Sequence, residues 1–294
     1  MRLVGVDWGT SSLRAARIAE DGSALEERSS PRDILTVPAG GFPAVLEETC
    51  GDWLQDPATL CLVSGMAGSR QGWQEAPYCP CPAGFAELAL RLHWITPGRV
   101  ALVPGLSCEA DGVPDVMRGE EVQVFGALSL LQQADGIVVL PGTHSKWVQV
   151  RGGVVQSFST CMTGEFYALL RQHSILARTL PAEDGALDES AFIRGVQHAR
   201  AGGSLLHTAF SARTLALFDR MESAVQPSYL SGLVIGEELR AQAADASNVT
   251  LIGSAALTRR YALALSTVGV GSRSLGSEAT WRGLWALAGN LERP

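Results

Sequence analysis

One strand–turn–strand unit occurs twice in this chain, and it constrains the fold more than any other feature. Residues 2–7 (RLVGVD) read as a short buried strand, WGTSS as a Gly/Ser turn, LRAARIA as a second strand closed by the Asp21-Gly22 turn, and SALEERS as a third. The pattern returns as IVVL, PGTHS, KWVQV, a Gly152-Gly153 hairpin turn and VVQSFST. Gly9, Thr10 and Ser12 fall on Gly142, Thr143 and Ser145 at a constant offset of 133, each set preceded and followed by a strand. Shared context of that kind points to duplication of one αβ unit rather than to coincidence in a Gly- and Ser-rich chain.

In the first half, a helix within 40–54 and a strand in TLCLVSGMAG complete a β-β-β-α-β order. Residues 69–82 carry Pro, Trp and Tyr without either period and read as an ordered surface loop; a helix near 83–93 and a strand at 99–104 follow. Val122, Phe125, Leu128 and Leu131 recur at helical spacing, so a helix runs from Glu120 to Gln133, directly after Arg118-Gly119. The second half is mostly helical, over 163–172, 189–201, 204–221 and 228–243, with a strand at 248–252, a helix through Tyr261 and a last helix over 278–291. No Pro/Gly/Ser linker separates the halves. The expected division is an N-terminal lobe over 1–131, with the final stretch 278–294 packing back on it, and a C-terminal lobe over 132–277.

At 294 residues the chain has material for two cores, and its net charge of −7 lacks the basic footprint that draws a protein to nucleic acid or an anionic membrane. Apolar runs such as 137–140 stop far short of the roughly 20 residues of a spanning helix. Asp7 interrupts the N-terminal apolar run before a signal peptide could form. A cytoplasmic protein with small-molecule partners is expected. The six cysteines offer neither a disulfide scaffold nor zinc spacing. Of the 23 basic residues only Lys146 is a lysine, which marks a place where arginine's planar fork would not serve.

P-loop, GxGxxG, HExxH and GxSxG patterns are absent. What remains are the paired turns. Singly, each is an ordinary hairpin turn; as a pair, their backbone N–H groups and hydroxyls suit phosphate oxygens, and facing each other they could hold the β- and γ-phosphates of ATP. Asp7, ending the first strand, then falls where a carboxylate holds Mg²⁺ through water. Glu120 and Glu121 at a helix start are stabilised by the macrodipole whatever else they do. Phosphoryl transfer to an alcohol also needs a carboxylate to take the hydroxyl proton, and Glu120 lies in sequence between the two turns. His144 reads as a capping histidine or a phosphate contact, Trp8, Trp73 and Tyr78 as packing or as substrate walls, and Lys146 as a point charge at the second turn or a solvated residue opening a strand.

DWGTSSLR at 7–14 and LPGTHSKW at 140–147 resemble the two phosphate motifs of sugar kinases of the actin-like ATPase superfamily, and NVTLIGSAALTRRYALAL at 248–265 is similar to their adenosine motif. More narrowly, SGMAGSRQGWQEAPY at 64–78, DVMRGEE at 115–121, PGTHSKW and MTGE at 162–165 resemble the 2-dehydro-3-deoxygalactonokinase family over nearly the whole chain. The resemblance implies an α/β fold of two RNase H-like lobes, mixed sheets flanked by helices around a central cleft. It implies ATP and Mg²⁺ as cofactors and O6 of 2-dehydro-3-deoxy-D-galactonate as acceptor.

Residue by residue, the resemblance carries Asp7, Gly9, Thr10 and Ser11 over as the first phosphate and metal motif. Gly142, Thr143, His144 and Ser145, with Lys146 beside them, become the second, and Gly253 and Ser254 approach the adenosine. RGEEVQ puts Glu120 where glycerol-kinase-like relatives have the aspartate of GDQQ, and that change of residue makes Asp115 the reserve candidate for the base. An arginine is expected to grip the substrate carboxylate, with Arg14 and Arg70 ahead of Arg118. Two other readings compete: a kinase for another 2-keto-3-deoxy sugar acid, and a non-catalytic nucleotide-binding module of the same fold. Self-association as a homodimer is left open.

Overall fold

A computed structural model describes residues 2–243 and 246–291. β1 (Arg2–Trp8), β2 (Leu13–Ile18) and β3 (Ala24–Ser30) form an antiparallel meander; α1 (Phe42–Cys50) crosses over, and β4 (Thr59–Gly65) pairs parallel with β1, Asp7 opposite Ser64 and Trp8 opposite Gly65. β4 is buried at every position, as its unbroken apolar centre requires of a strand covered on both faces. Then come β5 (Cys79–Pro80), α2 (Phe85–Leu90), β6 (His93–Thr96), β7 (Val100–Leu102), β8 (Leu106–Ala110), β9 (Val113–Met117) and α3 (Glu120–Leu131). Six of these strands make one sheet, ordered β3-β2-β1-β4-β7-β6, and β5-β8-β9 make a small one.

The second repeat supplies β10 (Gly136–Leu140), β11 (Ser145–Arg151) and β12 (Val154–Cys161). After them come α4 (Thr163–His173), α5 (Glu189–Arg200), α6 (Leu205–Thr208), α7 (Ser211–Leu217), α8 (Gln226–Gln242), β13 (Asn248–Ile252), α9 (Ala255–Ser266), β14 (Gly271–Leu275) and α10 (Glu278–Gly289). Its sheet runs β12-β11-β10-β13-β14, with β10 and β13 parallel. Strand for strand this repeats β3-β2-β1-β4-β7, so the echo in the turns extends through the sheets.

The single helix expected over 204–221 is instead the short pair α6 and α7. Leu206, Phe210, Leu217 and Phe218 are all exposed, so no continuous apolar stripe holds that segment against a neighbour as one long helix. β6, β8, β9 and β14 were not anticipated, because they are short and largely half-exposed and lack a clean apolar alternation.

The described residues group into two compact units: those of Met1–Gly136, Val148–Ser159 and Leu275–Pro294, and those of Ile137–Trp147 and Thr160–Ser274. The far part of the β11–β12 hairpin thus counts with the first unit, where Ala83 and Val155 exchange backbone hydrogen bonds of 3.1 and 2.9 Å. α10 also belongs there. A Cβ on Gly126 of α3 would stand 1.7 Å from the Ala279 carbonyl oxygen, and one on Gly283 2.0 Å from that of Val122, so the two helices meet backbone to backbone. Residues 292–294 of the expected final stretch lie outside the described residues. The first core gathers Val4, Val6, Trp8, Phe42, Leu46 and Val63, and the second Val139, Trp147, Phe192, Ile235, Leu251 and Tyr261. Among the described residues no helix is long and apolar enough to cross a membrane.

Candidate active site

In the first unit three sequence-distant segments meet at the C-terminal ends of β1 and β4. Asp7 is the next-to-last residue of β1, its side chain 16% exposed and ion-paired with Arg14, its cross-strand partner on β2. The Gly9 N–H donates to the Ser12 carbonyl at 3.0 Å, and the tight turn leaves Thr10 and Ser11 in solvent. Gly65 has φ +89°, and a Cβ there would press within 2.8 Å of the Trp8 carbonyl and 3.2 Å of Asp7 Oδ1; glycine keeps the space beside that carboxylate open. Gly119, at φ +103°, comes against Gly65 so closely that its Cβ would lie 3.1 Å from the Gly65 Cα.

α3 starts at this corner. Glu120 is half-buried and accepts the Arg118 N–H at 2.9 Å, whereas Glu121 is fully buried and accepts the Gly119 N–H at 2.7 Å. Burial, with the Glu120 charge as the second cause, pushes the Glu121 carboxyl up to about 8. The two adjacent glutamates are therefore not equivalent: Glu121 is packed inside and Glu120 is the one within reach of solvent. Asp115 sits on β9 opposite Cys108, half-buried, with its carboxylate accepting the Val116 N–H at 2.7 Å.

Arg118 departs from expectation. It is 8% exposed, donates from Nη2 to the Ala76 carbonyl at 2.8 Å and stacks its guanidinium 4.3 Å from the Tyr78 ring. With Nε and Nη1 also sealed from solvent, it pins the 64–78 loop from within instead of presenting a fork to a carboxylate. Trp73 stacks on Phe42 at the edge of the core (6.2 Å, 11°) and stays half-buried, whereas Trp8 is fully buried with its indole N–H on the Arg32 carbonyl and packs as core. Tyr78 keeps 37% of its surface exposed. Arg70 is 86% exposed at its side chain, beside Glu75.

In the second unit β10 and β13 end side by side, and a Cβ on Gly253 would lie 3.5 Å from the Pro141 carbonyl, which puts the β13–α9 corner next to the second turn. Thr143, His144 and Ser254 are exposed. Ser145 and Lys146 are turned inward: Ser145 Oγ lies 2.7 Å from Tyr261 Oη, and Lys146, 6% exposed, donates from Nζ to Thr160 Oγ1 at 2.7 Å. The solvated reading of Lys146 is thereby overturned: on β11 its side chain is covered, on the sheet face opposite Ser145 and Trp147. His144 Nε2 lies 2.6 Å from Glu165 of α4. That helix starts hard against the turn, since a Cβ on Gly164 would stand 2.5 Å from the Gly142 carbonyl oxygen, and the Glu165 N–H donates to the Thr143 carbonyl at 3.1 Å. Beside the turn lies a cavity of about 270 Å³, apolar through Val234, Ile235, Ala256 and Leu257, with Asp184, Ser231 and Arg260 as polar groups.

Two carboxylates here escaped sequence reasoning. Glu165 carried a signal, the MTGE motif, but no stated role. Glu238 carried none, being one of two adjacent glutamates in a helix. It is 4% exposed, with Oε1 accepting the Trp147 indole N–H and Oε2 the Thr163 and Tyr261 hydroxyls. Burial pushes its carboxyl up, against the downward pull of those hydrogen bonds.

A larger open depression of about 1070 Å³, around Arg2, Arg17, Trp53 and Asp56, lies toward the other end of β1 from Asp7 and holds none of the expected site residues. Among the described residues no three His, Cys, Asp or Glu side chains converge on a metal position, so a cation at Asp7 would draw its other ligands from water and bound phosphate.

The model of the 2-keto-3-deoxy-galactonokinase family matches residues 7–287. The chain belongs to this family. A relative from Rhizobium meliloti (strain 1021), assigned as 2-dehydro-3-deoxygalactonokinase DgoK1, is 38% identical over 292 residues, 96% of this chain and 95% of that protein. The 2-dehydro-3-deoxygalactonokinase of Escherichia coli (strain K12) is 34% identical over 271 residues, 91% and 90% of the two chains. A crystal structure of a Sinorhizobium meliloti protein assigned to the same activity superposes with a TM-score of 0.90 at 37% identity, over 97% of this chain and 98% of the other. The activator of 2-hydroxyisocaproyl-CoA dehydratase from Clostridium difficile, solved with ADPNP, superposes at 0.53 with 11% identity over 99% and 96%, which bears on the fold alone. Family membership makes the chain a sugar-acid kinase of galactonate metabolism that draws its phosphoryl group from ATP, on the α/β fold of actin-like ATPases and sugar kinases that the motifs implied.

Proposed function

We propose that this kinase transfers the γ-phosphoryl group of ATP to O6 of 2-dehydro-3-deoxy-D-galactonate, with Glu120 as the base and Asp7 as the anchor for Mg²⁺. The observation that carries this reading is the meeting, inside the first unit, of Asp7, Gly65 and the Gly119–Glu120 corner. Two carboxylates of different surroundings are delivered to one set of strand ends, one suited to a cation and one to a proton. Glu120 takes the O6 proton as the hydroxyl attacks phosphorus, with Asp115 in reserve. The residues fit the cation: Gly65 leaves room at Asp7 Oδ1, and Arg14 orients the carboxylate through Oδ2. Bound there, Mg²⁺ would neutralise charge that develops on the phosphates.

The remaining roles follow the fold. Gly9, Thr10 and Ser11 offer N–H and hydroxyl donors to phosphate from the first unit, and Gly142, Thr143 and His144 from the second. Gly253, Ser254 and the cavity beside them take the nucleoside, a small apolar space with few polar groups. The N-terminal lobe then carries the acceptor site, and the C-terminal lobe the nucleoside. Arg70 is the first candidate for the substrate carboxylate and Arg14 the second, since Arg118 is enclosed. A cytoplasmic setting suits an ATP-dependent step.

Coupled ADP-release kinetics across a panel of 2-keto-3-deoxy acids and neutral analogues of equal length test the assignment. The galactonate-derived acid should lead in kcat/KM by about tenfold or more, the scale on which a site separates substrates that differ in one contact. Equal efficiency on acid and neutral analogue would remove carboxylate recognition and the sugar-acid assignment with it.

A further inference from the structure

Glu238 is buried on α8, and no step of the proposed chemistry uses it. Its two oxygens receive three donors from three elements: the Trp147 indole N–H at 2.6 Å on Oε1, and on Oε2 the Tyr261 hydroxyl at 2.6 Å together with that of Thr163. An indole N–H can only donate, so Oε1 is an acceptor. Tyr261, directing its proton to Oε2, is left to accept from Ser145, 2.7 Å away. The polar chain runs from Ser145 through Tyr261 to Glu238, with Thr163 and Trp147 joining at the carboxylate.

The outer members of this chain flank the second turn. Ser145 directly follows His144, and Trp147 lies just beyond on β11. Thr163 opens α4 beside Gly164, whose Cβ would stand 2.5 Å from the Gly142 carbonyl oxygen and 2.9 Å from the Thr143 Cα. We infer that Glu238 is a positioning residue that ties both sides of the 141–144 turn to α8 and α9, setting its N–H groups, Thr143 and His144 in one geometry before nucleotide arrives. This rests on the reading that the turn holds ATP phosphate. A carboxylate suits the task because it presents two acceptor oxygens to three donors, whereas an amide would aim an NH₂ at one of them. A turn held ready in this way forgoes the ordering cost that a loose one pays on binding. It also follows that the Ser145 hydroxyl faces inward, so phosphate meets backbone N–H groups and the side chains of Thr143 and His144.

Full-length Glu238→Gln and Tyr261→Phe test this, the second because it removes only a buried hydroxyl and leaves the ring in place. Both should fold by circular dichroism, bind the Mg²⁺ complex of a non-hydrolysable ATP analogue about 10- to 100-fold more weakly by calorimetry, and show a matching rise in KM for ATP. KM for the sugar acid should stay within about twofold, a split that a general loss of structure would not produce. Should Glu238→Gln fail to fold, Tyr261→Phe carries the test. Normal analogue binding by a folded variant, or equal rises in both KM values, overturns the inference. Gly142→Val separates it from the reading beneath, since a Cβ there meets nothing nearer than 3.8 Å. Intact analogue binding in that variant overturns the phosphate role of the turn and the inference with it; lost binding beside normal binding in the other two overturns only the role of Glu238.

Discussion

Replacing Glu121 by glutamine should stabilise the protein, and increasingly so as the pH rises. In the folded chain this side chain is 0% exposed, accepts one N–H from Gly119 and has no partner at Oε1, and its carboxyl is pushed up to about 8, by burial first and the Glu120 charge second. Unfolded, it returns to about 4.3. Between those values the folded state keeps a proton that the unfolded state has lost. Its contribution is therefore complete below about pH 4.3 and falls by about 1.4 kcal/mol per pH unit until about pH 8, where the loss levels off near 5 kcal/mol. Glutamine has the shape of the protonated acid, can accept from Gly119 and has no proton to lose. Urea unfolding followed by tryptophan fluorescence reads the right region, because Trp8, Trp53, Trp73, Trp94, Trp281 and Trp285 all lie in the first unit. From pH 6 to pH 8.5 the advantage of Glu121→Gln over the parent should widen by about 3 kcal/mol. Stability curves that run parallel across that range would refute a desolvated, uncharged Glu121.

Glu120→Gln should lose about two to four orders of magnitude in kcat while KM for ATP changes little; near-normal turnover there with an inactive Asp115→Asn moves the base to Asp115. Asp7→Asn should retain its thermal transition but lose on the order of 100-fold in Mg²⁺-dependent activity, and a Mg²⁺ titration that overlays the parent's would end the metal role. Gly126→Ala forces a methyl group to within 1.7 Å of the Ala279 carbonyl oxygen and should cost about 3 kcal/mol in urea unfolding; a loss under about 1 kcal/mol would mean that α3 and α10 can part freely.

The strands that frame the candidate site were legible because they are buried on both faces: RLVGVD, TLCLV and IVVL are short, largely apolar runs with a glycine two residues beyond each, and each turned up as a strand leading into a turn or loop of the candidate site. The helix at Glu120 was legible from its spacing, and the turns from their small residues. Burial of polar side chains was not. Arg118 looked like any arginine ahead of a helix, and its place under Tyr78 depends on a loop closing back from 40 residues upstream of it. Glu121 and Glu238 each have a glutamate neighbour, and local pattern does not say which of two adjacent carboxylates faces the core when the helix is covered nearly all round, as α8 is over 226–236. The β5-β8-β9 sheet stayed hidden because Glu109, Val113 and Val116 are exposed, leaving no periodicity to find.

The order in which the ribosome releases these segments gives the C-terminal helix a significance beyond packing. β1 to β4 and α3 are made early, whereas α10 is made only after the whole of the second unit. Until then the glycine face of α3 lacks its complement, and so does the hollow over Gly5, where a Cβ would collide with Leu284 at 2.7 Å and approach Trp281 at 3.3 Å. A nascent chain thus carries an uncovered apolar groove throughout synthesis of the second unit, the condition under which growing polypeptides recruit holdase chaperones. It also means that the earlier half is not a vectorially folding module: a product that stops at Leu275 has every strand of the first unit and still cannot close its core.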